Sequence, residues 1–171
     1  MRISSTVHYA SRLLVKLALH VPATGPLSAS ELADSTGISV KFIEKIIRQL
    51  RSAGMVRSIR GAAGGHLLSI KPEDVTLGDV LRVVEGGVQP PCNGEADSPD
   101  APCRCRIAWT AAAKALEDTL DRFTIADITL LCALDFAKGL MKYRPGDEGL
   151  GHLQAWRERR AERPALLAET W

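Results

Sequence analysis

The sequence lacks the long apolar run that a membrane-spanning helix needs. No stretch reaches the roughly 18 to 20 consecutive apolar residues of such a span. The first residues also lack the charged start and unbroken apolar segment of a secretory signal, because Lys16 interrupts the apolar stretch 13–19. We therefore expect a soluble, cytoplasmic protein that has no membrane partner.

Motifs of the common enzyme classes are absent as well. The chain has no Walker, dinucleotide-binding or Ser-His-Asp pattern, and its glycine-rich stretch 61–65 is not followed by the Lys-Ser/Thr pair of a P-loop. There is no internal repeat and no low-complexity tract. These absences predict that the protein is not an enzyme.

Cysteine is scarce, with four residues in a chain of 171. Four cysteines without an export signal argue against a disulfide framework and favour metal ligation or redox chemistry. Three of them, Cys92, Cys103 and Cys105, lie in one short segment. Cys132 lies apart in an apolar run, which predicts a small buried core residue.

The net charge of +2 conceals a strong asymmetry. Residues 1–71 hold ten Lys and Arg against three Asp and Glu, whereas residues 72–171 hold twelve against seventeen. The first part is therefore +7 and the second −5. Such a division indicates a half that binds a polyanion, although a basic face exposed only to solvent has the same composition.

Two short helices in the basic half are predicted to form a helix-turn-helix. Ser28 and Glu31 have the spacing of a capping box, which starts a helix that ends near Ser35. Gly37 breaks the pattern, and Ser39 can cap a further helix with one apolar face. The opposite face of that helix carries Lys41, Glu44, Lys45, Arg48 and Arg51. Long cations for phosphates and polar groups for base edges are what a major-groove helix needs.

A two-stranded wing is predicted directly after this motif. Residues 55–59 alternate as in a strand, and residues 66–70 are its predicted partner. The tip between them contains Arg60 and three glycines, which allow positive backbone dihedrals and a close approach to another backbone. We expect Arg60 to lie along the phosphates or in the minor groove.

Helices are predicted on both sides of this region, so the fold class is mainly α, with a winged helix-turn-helix and a long dimerisation helix. A first helix runs from Ser4 or Ser5 to about His20, and another starts at Pro72 and ends at Gly86. The predicted divisions are a winged-helix domain at 1–85, a cysteine loop at 86–105, dimerisation helices at 106–143 and a tail at 144–171.

The predicted long helix carries an apolar seam that repeats at three and four residues: Trp109, Ala112, Leu116, Leu120 and Phe123. Such a seam suits pairing with the same helix of a second copy, and it equally suits packing on the chain's own core. The sequence leaves both interpretations open.

Five sequence stretches follow the pattern of a known family: residues 1–4 with Tyr9-Ala10, 37–39 with Leu50, 56–61 with Gly64-Gly65, 75–80 and 124–128. On these stretches the chain resembles the Rrf2 family of bacterial transcriptional regulators. The family includes an iron-sulfur assembly regulator, nitric oxide sensors and a cysteine-metabolism repressor. The resemblance covers residues 1 to about 130.

The resemblance implies a homodimeric repressor that binds double-stranded DNA. Its two recognition helices would reach successive major grooves of a pseudo-palindromic operator, about one helical turn apart. It assigns Glu44, Lys41 and Lys45 to base edges. It assigns Arg48, Arg51 and Arg60 to phosphates. The remaining residues of the predicted DNA-binding set are Ser28, Ser39 and Gly64.

The resemblance also implies an iron-sulfur cluster, of the 2Fe-2S or 4Fe-4S type. Relatives with a cluster place three cysteines before the dimer helix, the last about six positions before a Trp; Cys92 matches the first and Cys103 the third. The middle position has no cysteine, and Cys105 is an additional thiol, so the ligand pattern departs from that of the family. His8 matches a position from which some relatives take a further ligand across the dimer, or it is an ordinary surface or packing histidine.

The predicted metal ligands are therefore Cys92, Cys103, Cys105 and His8, and the predicted signal is redox state, nitric oxide or iron. Zinc, a thiol switch or no cofactor are the alternatives for the cysteines. If the cysteines bind no cofactor, the protein would be a cofactor-free regulator of the same family that responds to a metabolite, a partner protein or thiol oxidation.

Overall fold

A computed structural model describes residues 3–20, 25–90 and 104–141, with side chains of the last range described for 105–134. It confirms the mainly helical winged helix-turn-helix predicted from the sequence. The elements are α1 (Ser5–Leu19), α2 (Ala29–Thr36), α3 (Val40–Ser52), β1 (Val56–Ile59), β2 (Gly65–Leu68), α4 (Leu77–Glu85), α5 (Arg104–Leu120) and α6 (Ile125–Met141). None of the described helices is long and apolar enough to cross a membrane.

The chain divides into two units, residues 1–130 and residues 131–171. One apolar core holds the first unit together. Its fully buried side chains come from α1, α2, α3, β1, the segment before α4, α4 itself and the start of α6: Leu13, Leu14, Leu32, Ile43, Ile46, Leu50, Val56, Val75, Val80, Leu81 and Ile125. The second unit is described only as the remainder of α6.

The helix-turn-helix forms where the local signals predict it. Ser28 and Glu31 make both hydrogen bonds of the capping box at the start of α2. Gly37 follows α2 with φ +69°, a left-handed conformation that glycine adopts without a steric penalty. Ser39 then precedes α3 in extended backbone. The sharp turn at Gly37 lets the two short helices pack against each other.

The wing is an antiparallel hairpin in which Val56 pairs with Leu68 and Ile59 with Gly65. A backbone bridge attaches it to the segment before α2: Leu27 N–H donates to the carbonyl of His66 at 3.1 Å, and His66 N–H donates to that of Leu27 at 2.7 Å. A Cβ at position 65 would meet the Leu27 carbonyl, so the hairpin needs glycine there.

The predicted start of the next helix is wrong. Pro72–Asp74 forms only a short 3-10 turn, and α4 begins after Thr76, which makes a capping box with Asp79. The reason is a long-range pairing: the carbonyl of Val75 accepts from Ile125 N–H at 2.8 Å. Backbone in this extended pairing cannot continue the helical turn begun at Pro72.

Cys132 is exposed, and the prediction of a buried core residue is therefore wrong. Its neighbours on α6 are apolar almost without interruption, so the sequence gives no polar face from which the buried side can be identified. The predictions for Cys92, Cys103 and the tail at 144–171 fall outside the described residues.

Candidate nucleic-acid interface

Helix α3 divides into a buried apolar side and an exposed charged side. Ile43, Ile46, Ile47 and Leu50 are buried. All five charged residues predicted for this helix are exposed: Lys41, Glu44, Lys45, Arg48 and Arg51. None of them forms an ion pair with another described residue. These charges are therefore free to pair with an external ligand.

The two predicted DNA-binding serines lie at helix starts and differ in their hydrogen bonding. The Ser28 hydroxyl accepts from Glu31 N–H at 3.2 Å, while the Ser28 amide donates to the Glu31 carboxylate at 2.7 Å. Ser39 precedes α3 without a side-chain cap bond, and its exposed hydroxyl has no partner among the described residues. Ser39 thus keeps its donor and acceptor capacity, whereas Ser28 fixes the start of α2.

The wing adds two cations to the basic surface. Arg60 and Arg57 are both exposed, although the sequence prediction included only Arg60. Alternation along β1 is the signal that would have identified Arg57, since Val56 is buried and the next side chain points to the other face. Gly64 closes the hairpin, because a Cβ there would meet the backbone carbonyls of Ile59 and Gly61.

A histidine of the wing lies close to the charged face of α3. The Nδ1 atom of half-buried His66 is 2.9 Å from the hydroxyl of Ser58. Burial lowers the pKa of His66, Arg51 lowers it further, and Glu44 raises it. The sequence analysis did not single out His66, because only the strand register shows that it faces Ser58.

Helix α4 packs against α3, the predicted recognition helix. The Gln49 amide on α3 donates to the Val84 carbonyl at 3.3 Å. The Gln49 Oε1 atom is buried and has no hydrogen-bond partner in the described structure. A shallow cavity of about 410 Å³ lies beside this contact, lined by Arg48, Gln49, Ser52, Ala53 and Val83.

The same helix is tied to the end of α5 by an ion-pair network. Arg82 donates to both carboxylate oxygens of Asp121, at 2.6 and 3.1 Å, and to Asp79 at 2.7 Å. The hydrogen bond from Arg82 holds the pKa of Asp121 below its ordinary value. A Cβ at Gly78 would meet the Asp121 carboxylate, so a side chain there would displace this carboxylate from its position beside Arg82. No local sequence signal reveals this network, because Arg82 and Asp121 are 39 positions apart.

A second contact joins the other end of α4 to α5. The amide of Val88 donates to the Glu117 carboxylate at 2.6 Å. The N-terminal amide of α1 joins the same region, since Ser4 N–H donates to Glu85 at 3.1 Å. Helix α4 therefore contacts both the recognition helix and the helix predicted to dimerise.

Only part of the predicted seam on α5 packs on the chain's own core. Phe123 is buried after the helix ends, and Leu120 packs against the core. Toward the start of α5, Trp109 is 44% exposed and Ile107 78% exposed. The beginning of the helix therefore presents apolar side chains that the described part of this chain does not cover.

Two of the four predicted metal ligands lie within the described residues. Cys105 is exposed in the first turn of α5. His8 is exposed on α1, with its ring 5.6 Å from that of Tyr9. No group of three or more metal-ligating side chains occurs among the described residues.

Comparisons with known proteins identify close relatives. The model of the Rrf2 family, described as an iron-dependent transcriptional regulator, matches residues 3–130. Protein rrf2 of Nitratidesulfovibrio vulgaris is 38% identical over 132 residues, which are 75% of this chain and 87% of that protein. A model of the glutathione S-transferase C-terminal domain matches residues 119–164, less than half of the chain.

Solved structures agree with the sequence relatives. CymR of B. subtilis, described as its global cysteine regulator, superposes with a TM-score of 0.62 at 32% identity, over 77% of this chain and 98% of that one. The T. potens protein IscR gives a TM-score of 0.65 at 33% identity, over 84% of this chain and 97% of that one.

Proposed function

The chain belongs to the Rrf2 family of transcriptional regulators, and we propose that it represses transcription by binding a pseudo-palindromic DNA operator as a homodimer. The observation that carries this proposal is the exposed face of α3, whose five charged side chains have no ion-pair partner in the described structure. Arg57 and Arg60 extend the basic surface onto the wing. DNA phosphates are the polyanion that such a surface fits.

Individual roles follow from the chemistry of the side chains. The Glu44 carboxylate accepts hydrogen bonds and suits the amino group of a cytosine, while Lys41 and Lys45 suit acceptors on guanine. We assign Arg48, Arg51 and Arg60 to phosphates, where they position the protein without selecting a sequence. Ser39 offers a free hydroxyl at the start of α3. Ser28 and Gly64 complete the proposed DNA-binding set. In the capping box the Ser28 oxygen accepts and the Ser28 amide donates, which leaves the hydroxyl proton for a contact with DNA.

The DNA-binding proposal is tested by enrichment of a random duplex library on the wild-type protein. We expect a pseudo-palindromic sequence to be enriched, and Glu44→Ala to relax the preference at one position of each half-site by about 1 to 3 kcal/mol. Glu73→Ala is the matched control, since Glu73 is exposed on the 3-10 turn and outside the basic surface. Failure to enrich any sequence would contradict the proposal.

Dimerisation is assigned to the exposed beginning of α5. Burial of Trp109 and Ile107 against a second copy would remove apolar surface from water, which favours association. Trp109→Glu places a charge on this surface. We expect it to convert a dimer into a monomer in sedimentation experiments, whereas Lys114→Glu, on the same helix, should leave the dimer intact.

For the sensing function, we propose an iron-sulfur cluster held by Cys92, Cys103 and Cys105, with His8 as a further ligand. Thiolates are the preferred ligands of such clusters, and the three cysteines lie within fourteen residues of sequence, so the chemistry of the donors fits. The exposure of Cys105 and His8 leaves both side chains accessible to a bound group. The matching family model is described as iron-dependent, which supports the proposal. A bound cluster would supply redox and nitric oxide sensitivity.

The second candidate is a cofactor-free regulator that responds to a metabolite or to thiol oxidation. The similarity to a protein described as a global cysteine regulator favours it. An anaerobic absorption spectrum with iron and sulfide assays separates the two candidates. Brown wild-type protein that is bleached by Cys103→Ala supports the cluster; colourless protein that still binds DNA supports the second candidate.

A further inference from the structure

The backbone of His66 is fixed between two neighbouring chain segments. Both its N–H and its C=O bond to Leu27, at 2.7 and 3.1 Å. In an antiparallel strand these two groups point to the same side, so they point away from β1. Ser58 and His66 are therefore a pair without mutual backbone hydrogen bonds, the arrangement that brings opposite side chains closest together.

This register explains the contact between the two side chains. The Ser58 hydroxyl lies 2.9 Å from Nδ1 of His66. A hydroxyl can either donate to a neutral imidazole or accept from a protonated one. Protonated His66 donates from both ring nitrogens, and neutral His66 carries its proton on Nε2 when the Ser58 hydroxyl donates to Nδ1. In these two forms Nε2 is a hydrogen-bond donor.

The Nε2 atom of His66 is not fully buried. It has no hydrogen-bond partner among the described residues, and it is not one of their buried polar atoms without a partner. The charged groups that act on the ring come from α3: Arg51, which repels a proton on it, and Glu44, which attracts one. From β1 the Ser58 hydroxyl contacts the ring, and the backbone of His66 is hydrogen-bonded to the backbone of Leu27.

We propose that His66 is a further DNA-contacting residue. Its Nε2–H donates a hydrogen bond to a phosphate of the DNA strand that lies between α3 and the wing. The proposal rests on the proposed DNA-binding function. Phosphate oxygens only accept hydrogen bonds, so they match Nε2–H of the protonated ring and of the neutral tautomer to which Ser58 donates. The position fits as well, because the ring is near enough to Glu44 and Arg51, on the exposed charged side of α3, for both charges to act on its pKa.

Contact with a phosphate makes DNA binding pH-dependent. In the free protein, burial and Arg51 keep the pKa of His66 below its ordinary value, so the ring is neutral near pH 7.5. A nearby phosphate favours the charged form and raises the pKa in the complex. The complex then takes up a proton, and affinity rises as the pH falls from the bound-state pKa toward the free-state pKa. Each unit of difference between the two pKa values corresponds to about tenfold in the binding constant.

The test measures binding of a labelled 30-bp mixed-sequence duplex at pH 8 and pH 6, for wild type and His66→Gln. Gln keeps a neutral donor and does not titrate. We expect similar affinities at pH 8 and an increase at pH 6 only in the wild type, together with a salt slope steeper by about 0.9 at pH 6. His20→Gln is the control, since the His20 ring is hydrogen-bonded to the Gly25 carbonyl and His20 is not one of the proposed DNA-binding residues.

The outcomes separate this proposal from the function on which it rests. Wild type that binds no duplex at either pH overturns both. Binding whose pH dependence is unchanged in His66→Gln, in protein with wild-type circular dichroism, overturns the role of His66 alone. Should the variant fold poorly, NMR titration of the His66 ring in wild-type protein decides: its pKa rises on duplex addition if the contact exists, and an unchanged pKa overturns it.

Discussion

Replacing Gly65 with alanine should detach the wing from the body of the DNA-binding unit. The added Cβ would meet the Leu27 carbonyl and lie 2.9 Å from the Ser28 nitrogen, and both are backbone atoms that cannot rotate away. Gly65 does not have a positive φ, so alanine can adopt its backbone conformation, and the effect comes from this collision alone.

The magnitude follows from the two hydrogen bonds of the Leu27–His66 bridge. Each contributes about 0.5 to 1.5 kcal/mol, so losing both lowers the free energy of unfolding by about 1 to 3 kcal/mol. The stiffer unfolded chain of an alanine variant offsets about 0.4 to 1 kcal/mol. We expect a net loss of about 0.6 to 2 kcal/mol, together with weaker duplex binding, because Arg57 and Arg60 move with the wing.

Urea unfolding followed by far-UV circular dichroism measures the stability, and hydrogen exchange measures protection of the Leu27 and His66 amides. Ala63→Ser, at the exposed tip of the same hairpin, is the control and should change stability by less than about 0.5 kcal/mol. Wild-type stability in Gly65→Ala, with both amides still protected, would refute the argument.

Three further predictions concern charge, pH and packing. Arg60→Ala should weaken binding to all duplexes similarly and flatten the salt slope by about 0.9; an unchanged slope excludes a phosphate contact. Asp121→Asn should lower stability by only about 0.5 to 1 kcal/mol at neutral pH, since the pair with Arg82 is partly exposed. Because the pKa of Asp121 is lowered in the folded state, its contribution is complete above the ordinary Asp pKa and disappears as the pH falls through the folded-state value; a constant difference in urea unfolding down to pH 2.5 would contradict this. Ile46→Ala, in the fully buried side of α3, should cost about 2 to 5 kcal/mol in the same assay, and a loss below 1 would contradict its core position.

The sequence predicts the DNA-binding elements well because their signals are local. The capping box at Ser28, the glycine turn at Gly37 and the apolar face of α3 all lie within a few residues of the structure they determine. The same holds for the wing, whose strands are separated only by their tip.

Features that depend on distant residues could not be predicted in this way. The start of α4 is shifted by the pairing of Val75 with Ile125, fifty positions away in sequence. The Arg82–Asp121 pair and the electrostatic influence of α3 on His66 likewise appear only once the elements have packed. Cys132 is exposed because it lies on an uncovered side of α6. The sequence of α6 is almost uniformly apolar, so it does not show which side of the helix is buried.

The most direct test of the central claim is a hydroxyl-radical footprint of the wild-type protein on the duplex enriched from a random library. A dimer that places two α3 helices in successive major grooves should protect two related backbone patches about one helical turn apart, symmetric about the centre of the pseudo-palindrome. A single unsymmetric patch, or uniform cleavage at saturating protein, would contradict the account.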